Sequence, residues 1–384
     1  LRVPGTCVVG YNNLRFDDEF LRYTLYRNLM DPYAREWQEG NSRWDLIDLV
    51  RATCALRPDG VNWPEEEGIV TFALERLCAA NGIDHGNAHD ALADVNATVG
   101  LARLIREAQP KLWDYALRQR FRHASGALLM PLGGNLCVHV SNRYANERFC
   151  TAPVVSVAMH PQYDNRFIVA DLSRDVSQLI ECDAAEVAGR LFADDLPAVE
   201  ERPPIKVVQT NRCPFLAPIN VVRAQDAARL GFDMEEIERR RETLEAMQPG
   251  LAEKIAEIYR PDEEHGPAED AELALYDGFV GDADRFAMER LRRTLVAGGT
   301  WPDFRPRDKR LRTLAERLKA RVRSEELAPD ERERWQEHVR RCLGEGFGRR
   351  SSLADYRKNV ADLLDAESDP SRREVLEELA AYEP

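Results

Sequence analysis

Residues 81–106 read NGIDHGNAHDALADVNATVGLARLIR. A polar loop carrying His85, Asn87 and His89 runs into a segment where Leu92, Val95, Val99, Ala102 and Ile105 recur at helical spacing, with no Pro or Gly before Gly100. Asp94 therefore falls in the first turns of a helix. Side chains five residues apart on an ideal helix point roughly 140° away from each other, so His89 and Asp94 converge only if His89 precedes the regular helix. A carboxylate held on a helix with an imidazole at its mouth is what a metal-assisted hydrolase needs: a metal ligand and a base to take a proton from water. The alternative is that Asn87 or Asp90 caps the helix while His89 and Asp94 are solvated.

The 384 residues suffice for two or three domains, each with its own core. Hydrophobic residues at 44% and charged residues at 31% fit the globular class. No apolar run approaches the roughly 20 residues that span a bilayer, and no basic, apolar leader opens the chain. The eight cysteines are scattered without a CxxC pair, which argues against a zinc ribbon or a disulfide framework and points to a reducing cytoplasm. The net charge of −14 opposes non-specific attraction to nucleic acid, yet a groove needs only a local basic lining, and two-metal sites need carboxylates. The chain opens at Leu1 and reaches Cys7-Val8-Val9-Gly10 almost at once. The reading therefore expects a domain that begins upstream.

Residues 3–13 read as a short buried strand ending in a polar loop, and residues 16–29 as an amphipathic helix entered through Asp17 and Asp18. That order places Asp17 at the carboxyl end of a strand, where open α/β sheets keep their sites. Plain capping by Asp17 is the alternative. A segment dense in aromatic and cationic residues follows, including Arg22, Tyr23, Tyr26, Arg27, Tyr33, Arg35, Trp37, Arg43 and Arg51. Aromatic faces stack on unpaired bases and Arg engages phosphates, although Trp44 reads as core. Asp45-x-x-Asp48 lies in a helical pattern, and residues 72–80 form a short helix. Arg118, Arg120, Arg122 and His123 make a basic stretch. Short β-like runs at 136–140, 152–159, 167–172 and 205–209, with one helix near 184–191, point to a small, mostly β domain. Asn165, Lys206, Asn211 and Arg212 stand out on its loops, where a solvated face is the default.

From residue 225 onward the pattern is helical, near 225–259, 282–296, 308–325, 330–343, 351–365 and 370–382, with an acidic linker at 261–271. Tyr276 and Phe279 are expected to be exposed beside a turn. The helix from 308 carries Lys309, Arg310, Arg312, Arg317, Lys319, Arg321 and Arg323, either a solvated face or part of a phosphate track.

Together GYNNLRFDDEFLR, NSRWDLIDLVRA, ALRPDGVNWP and NGIDHGNAHDALADVNAT resemble the second and third catalytic motifs of the DEDDh 3′-to-5′ exonucleases, and among them the bacterial exodeoxyribonuclease I family. KVVQTNRCPFLAPINVVR and LYDGFVGDADR resemble later segments of that family. The resemblance implies an α/β ribonuclease H-like exonuclease domain at 1–109, incomplete at its N-terminus, an SH3-like β domain with helical insertions at 110–262, and an all-α domain at 263–384. It implies hydrolysis of single-stranded DNA from the 3′ end to 5′-mononucleotides, in DNA repair and recombination, assisted by two Mg²⁺ ions. By the same resemblance Asp17 and Asp94 match metal ligands and His89 the residue that activates water. Arg22, Tyr33, Trp37, Arg51, Arg122, Asn165, Lys206 and Asn211 match strand contacts. Arg57, Tyr115 and Arg223 match a dock for the C-terminal tail of single-strand DNA-binding protein, with Pro218 where the family can carry Gln.

The family's first motif, a strand bearing Asp-x-Glu, is not found here and is expected upstream of Leu1; a chain that truly lacked it is expected to bind metal weakly and hydrolyse little. The expected form is a cytoplasmic monomer with no membrane contact. Two other readings are an inactive single-strand-binding accessory module and a 3′-exoribonuclease.

Overall fold

The structure, a computed structural model, describes residues 3–84, 91–193, 202–260, 266–346 and 351–382. The chain divides into two compact units, Leu1–Glu19 with Ala34–Glu264, and Phe20–Tyr33 with His265–Pro384.

In the first unit, strands β1 (Cys7–Gly10) and β2 (Ser42–Asp45) pair in parallel with Gly10 opposite Asp45. A parallel pair needs a crossover, and helix α1 (Asp17–Arg27) begins in that connection. The carboxyl ends of both strands therefore lie side by side, next to the start of α2 (Ile47–Leu56). Asp45 closes a strand, which corrects its helical reading. The strand expected to be buried is only half-buried, with Val9 42% exposed, because β2 is its one partner among the described strands. Trp44 is core and meets Trp113 edge-on at 4.9 Å.

A two-residue-stranded hairpin, β3 (Glu65–Glu66) with β4 (Ile69–Val70), leads to α3 (Leu74–Ala80), and then α4 (Ala91–Ala108), α5 (Pro110–Gln119) and α6 (Arg122–Leu128) follow. The face of α4 differs from the expected one. Leu92, Val95 and Val99 are exposed, whereas Ala93, Ala97, Leu101 and Ile105 are buried. Small residues allow the close approach: a Cβ on Gly100 would stand 2.5 Å from the Ile83 side chain, and Cys78 Sγ contacts the Ala97 carbonyl.

Strands β5 (Cys137–Val140), β6 (Thr151–Met159), β7 (Arg166–Asp171), β8 (Ile205–Gln209) and β9 (Leu216–Pro218) form one antiparallel sheet in the order β8-β7-β6-β5-β9. The register shifts between Ser156 and Ala158, a bulge that bends β6. Helices α7 (Ser177–Glu181) and α8 (Ala184–Leu191) lie between β7 and β8, α8 entered through an Asp183–Glu186 capping box. The helical run expected from 225 is three helices, α9 (Ala224–Leu230), α10 (Met234–Ala246) and α11 (Gly250–Ile258). Gly231 ends the first at φ 65°, where a side chain is disfavoured, and Pro249 stands between the second and the third. One buried cluster joins Leu49, Leu101, Val138, Val155, Leu179 and Ile255, so α/β segment, sheet and flanking helices share a core.

In the second unit Tyr26 and Leu29 pack with Leu275, Met288, Leu291, Leu311 and Leu314. Its helices are α12 (Asp282–Val296), α13 (Lys309–Val322), α14 (Pro329–Gly344), α15 (Leu353–Ala366) and α16 (Pro370–Ala381). The end of the expected linker is structural: buried Asp270 takes a two-pronged ion pair from Arg317 at 2.5 and 2.7 Å. Much of the basic run on α13 is ion-paired within the unit. Arg310 pairs with Asp308, Lys319 with Glu331, Arg321 with Glu272 and Arg323 with Glu326, while Lys309 and Arg312 are exposed. Tyr276 and Phe279 are exposed, as their turn led one to expect. Among the described residues no helix is long and apolar enough to cross a membrane.

Candidate nucleic-acid interface and active site

The loop after β1 is held by one carboxylate. Asp45 accepts hydrogen bonds from the backbone N–H groups of Asn12 at 2.7 Å, Leu14 at 3.3 Å and Ile47 at 3.0 Å. Burial pushes its carboxyl up to about 6, against those three donors. Gly10 is required in this turn, since a Cβ there would stand 2.6 Å from the Asn13 side chain, and Asn12 takes up a left-handed φ of 58°.

Asp17 opens α1 from this clamped loop and is exposed. Its neighbour Asp18 is buried and receives Arg35 at 2.7 Å and Arg43 at 2.5 Å. Burial pushes the Asp18 carboxyl up, but the Arg35 and Arg43 guanidiniums outweigh it and hold it below the usual carboxylate range. Arg43 also donates to the Asn211 carbonyl at 3.0 Å. One guanidinium thus ties the start of α1 to the end of the β sheet.

At that sheet end three of the expected strand contacts come together. Arg122 lies 3.9 Å from Asp164, the neighbour of Asn165, and the Asn165 carbonyl accepts from Thr210, the neighbour of Asn211. Arg122 is 65% exposed and Asn211 is exposed, so both face solvent.

Lys206 lies apart from them, in a cavity of about 930 Å³ whose lining includes Asp45, Asp48, His139, Tyr144 and Arg15. Arg51 pairs with Asp48 at 2.9 Å and lies 5.8 Å over the Phe72 ring. Trp37 is 61% exposed. Arg22 and Tyr33 belong to the second unit. There the Arg22 guanidinium stacks 5.3 Å from the Tyr33 ring and contacts the Tyr276 hydroxyl, and Phe279 meets Tyr33 edge-on. Arg22 is buried, so its cationic face is already engaged with aromatic rings.

Asp94 is exposed in the first turn of α4. His89 lies outside the described residues, as do Asn87 and Asp90. Exposed carboxylates supply the hard oxygen donors that Mg²⁺ or Mn²⁺ prefers, so Asp17 and Asp94 fit such an ion by type. Among the described residues no group of three or more His, Cys, Asp or Glu side chains could hold a metal; a ligand set built on these two needs further donors.

The expected partner dock is organised by a residue the sequence did not single out. Asp226, fully buried, accepts from Arg57 at 3.3 Å and from Arg223 at 2.7 and 2.9 Å. Arg57 reaches the Val221 carbonyl, Arg223 the Leu56 carbonyl, and the Tyr115 hydroxyl donates to Leu216 at 2.8 Å. With Arg229 at 3.9 Å as well, three guanidiniums on one carboxylate leave a net positive charge. His139 was also missed, and Asp18, Arg43 and Asp45 were noted in the sequence but not for the contacts they make here. A charged or imidazole side chain inside a β-like run, as in SRWD and CVHV, was the available signal for three of them.

Comparison with known proteins bears on the family and the fold. Residues 3–102 match the exonuclease family, residues 120–261 the exonuclease I SH3-like domain and residues 269–384 the exonuclease I C-terminal domain. The chain is 41% identical to exodeoxyribonuclease I of Escherichia coli K12 over 351 residues, 90% of this chain and 73% of that protein. It is 36% identical to exodeoxyribonuclease I of Haemophilus influenzae over 389 residues, 99% of this chain and 80% of that protein. Escherichia coli exonuclease I in complex with a dA16 oligonucleotide superimposes with a TM-score of 0.90 at 39% identity, covering 99% of this chain and 81% of that one. A zinc-bound form of the Escherichia coli enzyme with single-stranded DNA gives a TM-score of 0.88 at 38% identity, covering 98% and 79%. A structure described as SSB/exonuclease I with an inhibitor gives 0.83 at 37%, covering 98% and 79%.

Proposed function

The chain belongs to the exodeoxyribonuclease I family and is a nuclease, and from that premise we propose that it degrades single-stranded DNA from the 3′ end to 5′-mononucleotides, in DNA repair and recombination. The observation that carries the reading is the Asp18–Arg43–Asn211 bridge. It sets Asp17, at the head of α1, in fixed relation to the sheet end where Arg122, Asn165 and Asn211 gather. A reacting phosphate near Asp17 and a strand gripped at that edge are then positioned by the same guanidinium.

In this proposal Asp17 and Asp94 contribute carboxylate oxygens to two divalent ions, with Mg²⁺ the expected metal. When bound, such ions stabilise the attacking and leaving oxygens of an in-line displacement. His89 takes the proton of the attacking water on a ring nitrogen, the work of a positioned general base. Arg122 offers its guanidinium to backbone phosphate, Asn165 and Asn211 offer amides, and Lys206 and Arg51 offer positive charge. Trp37 in the first unit and Tyr33 in the second present aromatic surface to bases, while Arg22, buried with its guanidinium on the Tyr33 ring, orients that ring for the strand. Arg57, Arg223 and Tyr115 receive the acidic C-terminal tail of single-strand DNA-binding protein, whose terminal carboxylate meets the two guanidiniums. The protein is read as a cytoplasmic monomer.

The test is an oligonucleotide labelled at its 3′-terminal nucleotide, incubated with the protein and Mg²⁺. Release of the labelled 5′-mononucleotide, stopped by EDTA, is expected for single-stranded DNA. Cleavage of RNA in preference to DNA, or binding with no release, would replace this reading.

A further inference from the structure

Lys206 stands on β8 with its ammonium nitrogen 3.1 Å from Nε2 of His139. His139 is 2% exposed, in the middle of β5, and its Nδ1 lies 2.9 Å from the Phe215 carbonyl oxygen. A carbonyl can only accept, so Nδ1 carries the ring proton and Nε2 offers its lone pair. The ammonium therefore donates to His139. Tyr144, edge-on to His139 at 5.6 Å, lies under the ammonium, 5.7 Å from ring centre to nitrogen. All three line the cavity of about 930 Å³, and the Tyr144 hydroxyl has no hydrogen-bond partner among the described residues.

Resting on the single-strand reading above, we propose that His139 is a positioning residue that holds the Lys206 ammonium in this cavity as the charged contact for one backbone phosphate. The charged and titratable groups facing Lys206 are His139, Tyr144, Arg143, Asp48, Arg15 and, on the neighbouring strand, Asp171. Burial lowers the Lys206 amine to about 8, Asp48 opposes that shift, and Arg15 and Arg143 add to it. Burial and the Lys206 charge keep His139 neutral at working pH. A phosphate entering the cavity supplies the negative charge that burial denies the ammonium, so strand binding takes up a proton on Lys206. Affinity then falls as pH rises from 7 to 9. The neutral imidazole favours the charged amine by accepting from it, and removing that acceptor moves the amine's titration to lower pH.

The experiment reads Lys206 twice, in the wild-type protein and in the His139→Phe, His139→Gln and Lys206→Arg variants. Brief acetylation across pH 6 to 10, quantified on the Lys206 peptide by mass spectrometry, gives its titration without DNA. Fluorescence anisotropy of an oligothymidine in EDTA gives affinity over the same range. His139→Phe should lower the Lys206 midpoint by roughly one pH unit, and should weaken binding about threefold at pH 7.5 and close to tenfold at pH 9. His139→Gln, whose amide oxygen can accept, should retain most of both. Lys206→Arg, charged throughout, should bind with no step between pH 7 and 9. An unmoved Lys206 midpoint in folded His139→Phe overturns the proposal; if that variant does not fold, a wild-type pH step that survives in Lys206→Arg overturns it. If the midpoint shifts as expected but wild-type protein binds no oligothymidine at any pH, the single-strand reading fails while the pairing of His139 with Lys206 stands.

Discussion

The Asp45 carboxylate accepts the Asn12 N–H at 2.7 Å, across the carboxyl ends of the two parallel strands. Because the same side chain also takes Leu14 and Ile47, it fixes the loop from which α1 and Asp17 emerge. Its folded-state carboxyl is raised from 3.8 to about 6. A raised carboxyl binds its proton better in the folded state, so the associated stability is fully present below about 4 and is lost as pH rises through about 6. Asp45→Asn should erase that step in chemical-denaturation profiles between pH 4 and 7. Asp45→Ala should cost roughly 1–3 kcal/mol for each backbone donor left unsatisfied.

Asp18 makes the opposite prediction. Its carboxyl is held below the usual range by Arg35 and Arg43 against the cost of burial. The stability it contributes is present above its unfolded value near 3.8 and is lost as pH falls through the depressed folded one. Asp18→Ala removes the closer of the two carboxylates shared by Arg35 and Arg43, leaving Glu36 at 3.7 and 3.3 Å, and should destabilise the first unit by about 1.5–3 kcal/mol. Urea denaturation followed by tryptophan fluorescence measures this, and a loss under 1 kcal/mol would contradict it.

Two arginines from basic stretches of the sequence should behave differently. Arg122 is exposed at the sheet end, whereas Arg317 is buried against Asp270. Arg122→Ala should weaken oligonucleotide binding and reduce the slope of log affinity against log salt by about 0.7, the value for one phosphate contact on a single strand. Arg317→Ala should lower the thermal midpoint of the second unit and leave the salt slope unchanged. Anisotropy titrations at four salt concentrations, with calorimetry of each variant, separate the two outcomes.

Asp226 should act on the partner dock only through its arginines. Arg57→Ala and Arg223→Ala should each weaken binding of an acidic peptide with a free C-terminus by about tenfold, the loss expected for a charge-assisted hydrogen bond. Amidating the peptide should remove the difference between wild type and variants. Isothermal titration calorimetry with both peptides reads this directly, and equal affinities for them in the wild-type protein would contradict the dock.

Helices 282–296, 308–325 and 330–343 were legible within a few residues because their apolar spacing and caps are local. The buried face of α4 was not, since the sequence offers larger residues at Leu92, Val95 and Val99 than at the alanines that pack. Ala93 and Ala97 are chosen by how closely α3 approaches, which no single helix reveals. The same limit hid Asp18, Asp45 and Asp226: each acts by gathering partners distant in sequence, such as Arg43 for Asp18 and Arg57 for Asp226. The ion pairs of α13 were not legible from its own charge, because Asp270, Glu272 and Glu331, which pair with Arg317, Arg321 and Lys319, come from other segments. The candidate site was legible through motif resemblance more than through spacing. Asp17 and Asp94 can be placed at helix starts from periodicity, but their joint role, and that of His89, came from the order of several motifs.

The most direct test compares the rate at which Mg²⁺ and this protein release nucleotides from 3′-labelled and 5′-labelled single-stranded DNA, for wild type and for Asp17→Asn, Asp94→Asn and His89→Ala. Immediate release of the 3′ label, delayed release of the 5′ label and a loss of at least 100-fold in each variant, about the smallest contribution of a positioned acid–base group, is the predicted result. Early release of the 5′ label, or wild-type rates in the folded variants, would contradict the assignment of a 3′-to-5′ exonuclease built on those three side chains.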